Sequence, residues 1–157
     1  MTKKFAADNG NITTLSALAA LNKTFKLGAP GDCAKNPVCL GDPGLDGTYG
    51  LKAQPEKYDF GSVAMADAVL KGTIDIGETG TTDGTLDAKG LVILEDDKKP
   101  QKAENLVPTI SLKDASDPKI ATALNALAPV LTTEDLTALN LKIDAERQQA
   151  PTSPRST

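Results

Sequence analysis

The sequence predicts an α/β fold organised around an open sheet, and three observations carry that expectation. Residues 24 to 95 read as strand, loop, helix, strand, loop, strand, an order that suits a sheet with helical crossovers. Apolar residues make up 39% of the chain against 24% charged, enough to fill a core. Aromatic residues are only 3%, so that core is aliphatic. At 157 residues the chain suits one compact domain, or one lobe with an appendage, rather than two full domains.

Each element has its own signal. Thr13 or Thr14 caps a short helix, because Leu15, Leu18 and Leu21 follow at a spacing of three and share a face. Phe25-Lys26-Leu27-Gly28 reads as a strand running into Ala29-Pro30-Gly31-Asp32 and a Gly/Pro-rich stretch to Gly47, with one helical turn around Leu45 to Tyr49. A loop of that length is often functional when ordered. Val63, Ala66, Ala68, Val69 and Leu70 give a helical pattern stopped by Gly72. Thr73 to Gly77 is the next strand, Glu78 to Gly84 a polar turn, and Leu91 to Glu95 an apolar run suited to a buried strand.

Asp96, Asp97, Lys98 and Lys99 read as a solvated turn, after which Asn105 to Ser111 resumes as a strand. Pro108 inside it cannot donate a ladder hydrogen bond, which puts that strand at an edge or a bulge. Asp117 before Pro118 starts a helix with an apolar stripe at Ile120, Leu124, Leu127 and Leu131. Thr132, with Asp135 three residues on, caps a second helix whose Leu136, Leu139, Asn140 and Ile143 share a face. Residues 150–157 have no core-forming pattern and are expected to be a disordered tail.

Composition narrows the function classes. A net charge of -4 from 17 basic and 21 acidic residues leaves no footprint for nucleic acid. The chain has no histidine, so Ser16, Ser62 and Ser111 have no imidazole to activate them, and the commonest general base and metal ligand are missing. Glu78 and Asp83 as a lone carboxylate pair fall short of a glycosidase, so no catalytic step is expected. No apolar run approaches the length of a membrane span, and no export signal is read in Met1 to Asp8.

Cys33 and Cys39 flank five residues of loop that include Pro37. Without further cysteines or histidine they lack the four ligands of a structural zinc site. The spacing favours a disulfide closing a short loop, which implies an oxidising compartment. Two buried free thiols are the alternative.

The segment Ile74-Asp75-Ile76-Gly77-Glu78, followed after two residues by Thr81-Thr82-Asp83-Gly84, resembles a family signature. Gly90 to Lys98, Glu104-Asn105-Leu106-Val107-Pro108 and Leu131 to Asn140 resemble the same family in order and spacing. So do Leu27-Gly28-Ala29-Pro30, Cys39-Leu40, Gly44-Leu45 and Tyr49-Gly50-Leu51. The family is the osmoprotectant and glycine-betaine (quaternary-amine) solute-binding proteins of ABC importers, and the likeness covers roughly residues 10 to 147. It implies one lobe of a type II periplasmic-binding-protein-like fold with C-terminal helices. Residues 1–103 would be the second-lobe α/β region with its entering segment, and 104–149 a strand and helices returning to the first lobe. The N-terminal half of the first lobe would lie outside this chain.

What the resemblance implies about function follows the family. Two lobes close on a small polar or quaternary-ammonium solute, no cofactor takes part, and the closed form docks on an ABC permease. The parent protein would be extracytoplasmic, either periplasmic or a lipoprotein anchored at the cell surface. The alternative is a non-catalytic interaction or structural module made of a single lobe that self-associates through its exposed hinge-side surface. The family holds its cations in an aromatic cage by cation–π contact. Here Thr79 and Gly80 stand where one cage aromatic is expected, and none of Phe5, Phe25, Tyr49, Tyr58 and Phe60 falls at a recognisable cage position. The candidate ligand-binding residues are Asp32, Thr81, Thr82 and Asp83, which follow strands where polar loops meet solutes. The alternative for Thr81, Thr82 and Asp83 is capping of their own turn, and for Asp32 an exposed turn.

Overall fold

A computed structural model of the chain describes residues 1–41, 43–100, 107–114, 117–126 and 129–144. The chain divides into two compact units, Met1–Lys102 and Ala103–Thr157.

The first unit is built on a parallel sheet of three strands, β1 (Thr24–Ala29), β2 (Lys52–Lys57) and β3 (Ile76–Gly77), in the order β2-β1-β3. Central β1 pairs with β2 from Thr24↔Lys52 to Ala29↔Lys57, and with β3 through Leu27↔Ile76 and Gly28↔Gly77. Alternation along β1 sends Phe25, Leu27 and Ala29 to one face, where they join the buried Leu18, Cys33, Cys39, Leu45, Tyr49 and Leu51. These come from α2 (Leu15–Ala20), α3 (Gly44–Tyr49) and the segments flanking α3, and Ala6 of α1 (Lys3–Asp8) joins them. The opposite face takes α4 (Val63–Leu70), whose Met65, Ala68 and Val69 bury with Ile74, Leu86 and Leu91.

Gly28 makes that second layer possible. A Cβ there would lie 2.5 Å from Ile74 Cδ1 and 2.9 Å from Met65 Cγ, so a side chain at this position would push Ile74 and α4 away. The end of α4 is set by Gly72, whose φ of 70° is the left-handed conformation glycine adopts without strain. Gly72 N–H donates to Val69 O and Thr73 N–H to Ala68 O, the paired bonds that close a helix and turn the chain into β3. Threonine and serine caps open α1, α2 and α4. Thr14 accepts from Ala17 N–H at 3.1 Å and Ser62 from Met65 N–H at 3.2 Å.

Two segments of the first unit differ most from the sequence reading. Strand β2 was not expected, because Lys52-Ala53-Gln54-Pro55-Glu56-Lys57 has no apolar alternation. It is an exposed edge strand held by its backbone ladder to β1, a place that tolerates Pro55. Leu91–Glu95 is not a buried strand. It makes two isolated bridges, Thr2↔Leu91 and Thr14↔Glu95, and Ile93 is exposed. The segment runs beside the first residues of the chain rather than in the sheet, with Val92 N–H on Met1 O and Glu95 N–H on Thr13 O. Asp96 to Lys99 is the turn expected, exposed from Asp97 onward and closed by Lys99 N–H on Asp96 O at 3.0 Å, and it is also pinned to the fold. Tyr49 donates its hydroxyl hydrogen to Asp96 and accepts from Lys98 N–H at 2.9 Å, while Lys98 Nζ donates to Thr48 O at 2.7 Å. Burial first, then the bond to Asp96, push the Tyr49 hydroxyl pKa up to about 12. Asp97 accepts from Ser16 N–H, so the same segment is also tied to the start of α2.

In the second unit a single-turn helix at Leu112–Asp114 precedes α5 (Pro118–Asn125) and α6 (Thr133–Asp144). Asp117 caps α5 through Lys119 N–H, with Pro118 in the first turn where its missing N–H costs nothing. Thr132 and Asp135 form a reciprocal cap on α6. Asp135 N–H donates to Thr132 Oγ1 at 3.1 Å, and Thr132 N–H to the Asp135 carboxylate at 3.0 Å. The expected strand at Asn105–Ser111 is not found over Val107–Ser111, which is exposed and unpaired in any sheet among the described residues, and its first two residues lie outside them. Leu127 and the expected tail at 150–157 also lie outside the described residues.

Candidate functional site

Because all three strands are parallel, their carboxyl ends face the same way, and the loops after them collect at one end of the sheet. Open α/β sheets bind ligands there, since the loops are free of the ladder and close together. Three loops meet at this end, residues 30–36 after β1, 58–62 after β2 and 78–84 after β3. They are stitched by backbone bonds, Tyr58 N–H to Ala29 O at 2.9 Å, Glu78 N–H to Gly28 O at 3.0 Å and Gly61 N–H to Glu78 O at 3.1 Å.

The first loop carries Asp32, exposed at the head of the single-turn helix Cys33–Lys35, where its carbonyl accepts from Lys35 and Asn36 N–H. A disulfide joins Cys33 to Cys39 across Cα atoms 5.2 Å apart, and both residues are buried. The third loop begins with Glu78, half-buried against this bridge. Burial, and after it the negative charge of Asp32, raise the Glu78 carboxyl above its usual value. The sequence reading weighed Glu78 only as an acid for catalysis. Its apposition to Asp32 follows from the pairing of β3 with β1, which no local motif displays.

Asp83 is occupied within its own loop. One carboxylate oxygen accepts from Thr85 N–H at 2.9 Å and Thr85 Oγ1 at 2.8 Å, and the other from Thr79 Oγ1 at 3.2 Å. These bonds hold the turn that presents Thr81, exposed, and Thr82, half-buried. The structure thus brings Asp32 to the same sheet end as Thr81, Thr82 and Asp83, with Asp83 as the brace of its loop.

The second loop adds an aromatic group. Phe60 is 59% exposed, and its ring lies against the third loop, where a Cβ on Gly80 would sit 3.9 Å from Phe60 Cε1. Tyr58 packs inward against the α4 layer. An exposed phenyl face, two threonine hydroxyls and two carboxylates at one sheet end can receive a small cation through its charge and its apolar methyl surface together. The signal for Phe60 in the sequence was its place just ahead of the Ser62 cap, but its neighbour at Gly80 comes only from the strand register.

Comparisons with known proteins agree with this architecture. A family model described as the substrate binding domain of ABC-type glycine betaine transport system, OpuAC, matches residues 1–153. A crystal structure titled glycine betaine/carnitine/choline ABC transporter superposes with a TM-score of 0.68 at 22% identity, covering 95% of this chain and 54% of its own. Apo YehZ from Escherichia coli superposes with a TM-score of 0.59 at 24% identity, covering 92% of this chain and 54% of its own. The chain therefore spans about half the length of these solved structures, and the fold is that of a periplasmic-binding-protein-like lobe. No described helix is long and apolar enough to cross a membrane.

Proposed function

Since the chain belongs to the OpuAC family of substrate-binding domains of ABC-type glycine betaine transport systems, we propose that it forms one wall of an interlobe cleft that captures a small polar or quaternary-ammonium solute for an ABC importer. In this reading Phe60 supplies the aromatic face, Thr81 and Thr82 the hydroxyls, and Asp32 and Glu78 the negative field. Asp83 braces the loop that carries the threonines. The observation that carries the reading is the convergence of the three carboxyl-end loops with Phe60 seated against Gly80. Residues 104–149 belong, in the same reading, to the segment that returns to the other lobe, and an ABC permease is the partner of the closed form. A buried disulfide suits an extracytoplasmic protein, because oxidising compartments sustain it.

One wall buries only part of a solute's surface, so affinity for the isolated chain is weak. Titration calorimetry with betaine, choline and carnitine should detect no dissociation constant tighter than about millimolar. Micromolar binding by this chain alone contradicts the one-wall reading. A second reading, a self-associating interaction module, is favoured by the exposure of Leu112, Val130, Leu139 and Ile143 in the second unit. Light scattering separates the two, since a dimer that dissociates on dilution supports self-association and a monomer at all concentrations supports the cleft wall.

A further inference from the structure

Cys33 and Cys39 sit on the loop after β1 and Glu78 on the loop after β3. Their two Sγ atoms and a Glu78 carboxylate oxygen nonetheless lie within 4.8 Å of one another. We propose that reduction of the Cys33–Cys39 bridge converts this cluster into a binding site for a thiophilic divalent cation, with two thiolates and the Glu78 carboxylate as ligands and a fourth position left to water. The proposal does not rest on the solute reading, although it engages Glu78, which that reading places in the negative field of the cleft wall. A four-ligand structural zinc site was excluded by the cysteine count, but three protein ligands and an open position is the other arrangement that zinc-like ions adopt.

The geometry is within reach of small side-chain movements. Metal–sulfur and metal–oxygen bonds of about 2.3 and 2.0 Å at tetrahedral angles place ligand atoms roughly 3.5–3.8 Å apart. Glu78 must therefore approach by at most about 1.3 Å, and the sulfurs must separate from covalent contact, which rotation about χ1 of two cysteines supplies. The backbone around the ligands is held by bonds that do not depend on the disulfide. Leu40 N–H donates to Cys33 O at 3.0 Å, Cys39 N–H to Asn36 O at 2.9 Å and Gly41 N–H to Asn36 O at 2.8 Å. Glu78 is fixed from both sides by Gly28 O and Gly61 N–H.

The steps balance. A phosphine reductant and one water reduce the disulfide to two thiols, and the phosphine leaves as its oxide. The divalent cation then displaces two protons from the thiols and binds the two thiolates and the carboxylate. In the oxidised chain neither sulfur can become a thiolate, so the site exists only after reduction.

Cobalt(II) titration of the phosphine-reduced chain tests this, because thiolate ligation produces a strong ultraviolet charge-transfer band. The band should grow to one equivalent, be absent from the oxidised chain and from Cys33→Ser/Cys39→Ser, and fade when zinc displaces the cobalt. Glu78→Gln should weaken binding at least about tenfold. Absence of the band in the reduced wild type overturns the proposal. So does unchanged affinity in Glu78→Gln, the result expected if reduction merely unfolds the loop and leaves two free thiols, which far-ultraviolet circular dichroism would register.

Discussion

The two units of this chain are built by the same local rules and end in different states. In both, a Thr, Ser or Asp side chain caps the first turn of a helix, as Thr14 does for α2 and Thr132 for α6. In the first unit the capped helices close over a sheet, and every buried residue among the described ones lies between Met1 and Leu91. In the second unit no described residue is buried, and Leu139 and Ile143 on α6 are about half exposed. Caps contribute roughly 1 kcal/mol each and fix where a helix starts, whereas its persistence depends on the apolar face it buries. The first unit therefore carries the stability of this chain, and the second carries helices whose apolar faces are open.

The largest effect expected from that contrast is in the core. Leu18→Ala removes a fully buried side chain and should destabilise the chain by about 2–5 kcal/mol. Leu139→Ala in α6 should stay within about 0.5 kcal/mol. Parallel denaturant titrations of the two variants break the comparison if the losses are equal. Tyr49→Phe comes next, because it deletes two of the bonds that pin Asp96 and Lys98 to α3 and leaves the one from Lys98 Nζ to Thr48 O, at a cost of about 1–2 kcal/mol. The amide of Lys98 should then exchange faster than in the wild type, while the amides of β1 keep their protection.

Two carboxyls give the smallest effects, with opposite signs. Hydrogen bonds from the Thr132 hydroxyl and amide lower the Asp135 carboxyl below its ordinary value of 3.8. Its contribution is present above the unfolded value and is lost as pH falls through the folded one, so α6 helicity should fade below about pH 4. Asp135→Asn should abolish that dependence in a circular dichroism pH series. Glu78 is raised by burial and then by Asp32, so its contribution is present at low pH and lost as pH rises through its folded value. Glu78→Gln should therefore stabilise the chain at pH 7 by less than about 1 kcal/mol, once the solvent screening of a half-exposed group is counted, and so raise the melting temperature.

Legibility in the sequence follows the same division. Phe25 to Gly28 announced β1 because a central strand must bury its side chains. Thr14, Asp117 and Thr132 announced their helices because a cap acts within three residues. Strand β2 carried no such mark, since an edge strand is held through its backbone and Lys52 to Lys57 remain exposed except for the half-buried Ala53. Leu91 to Glu95 carried a misleading one, since Leu91 buries with α4 and Val92 and Leu94 pack against the other core cluster without joining a sheet. At the candidate site the polar loop Thr81 to Asp83 was visible locally. Its nearness to Phe60, and that of Glu78 to Asp32 and the cysteine bridge, was not, because strand pairing across as many as 49 positions, as in Leu27↔Ile76, creates those contacts.

The central claim is that the three carboxyl-end loops receive the solute, and amide chemical-shift mapping tests it most directly. With choline added to tens of millimolar, roughly the range a one-wall site requires, the amides of Asp32, Phe60 and Glu78 to Asp83 should shift together, and Phe60→Ala should remove most of the response. Shifts confined to α5 and α6, or a response unaltered by Phe60→Ala, would contradict the account.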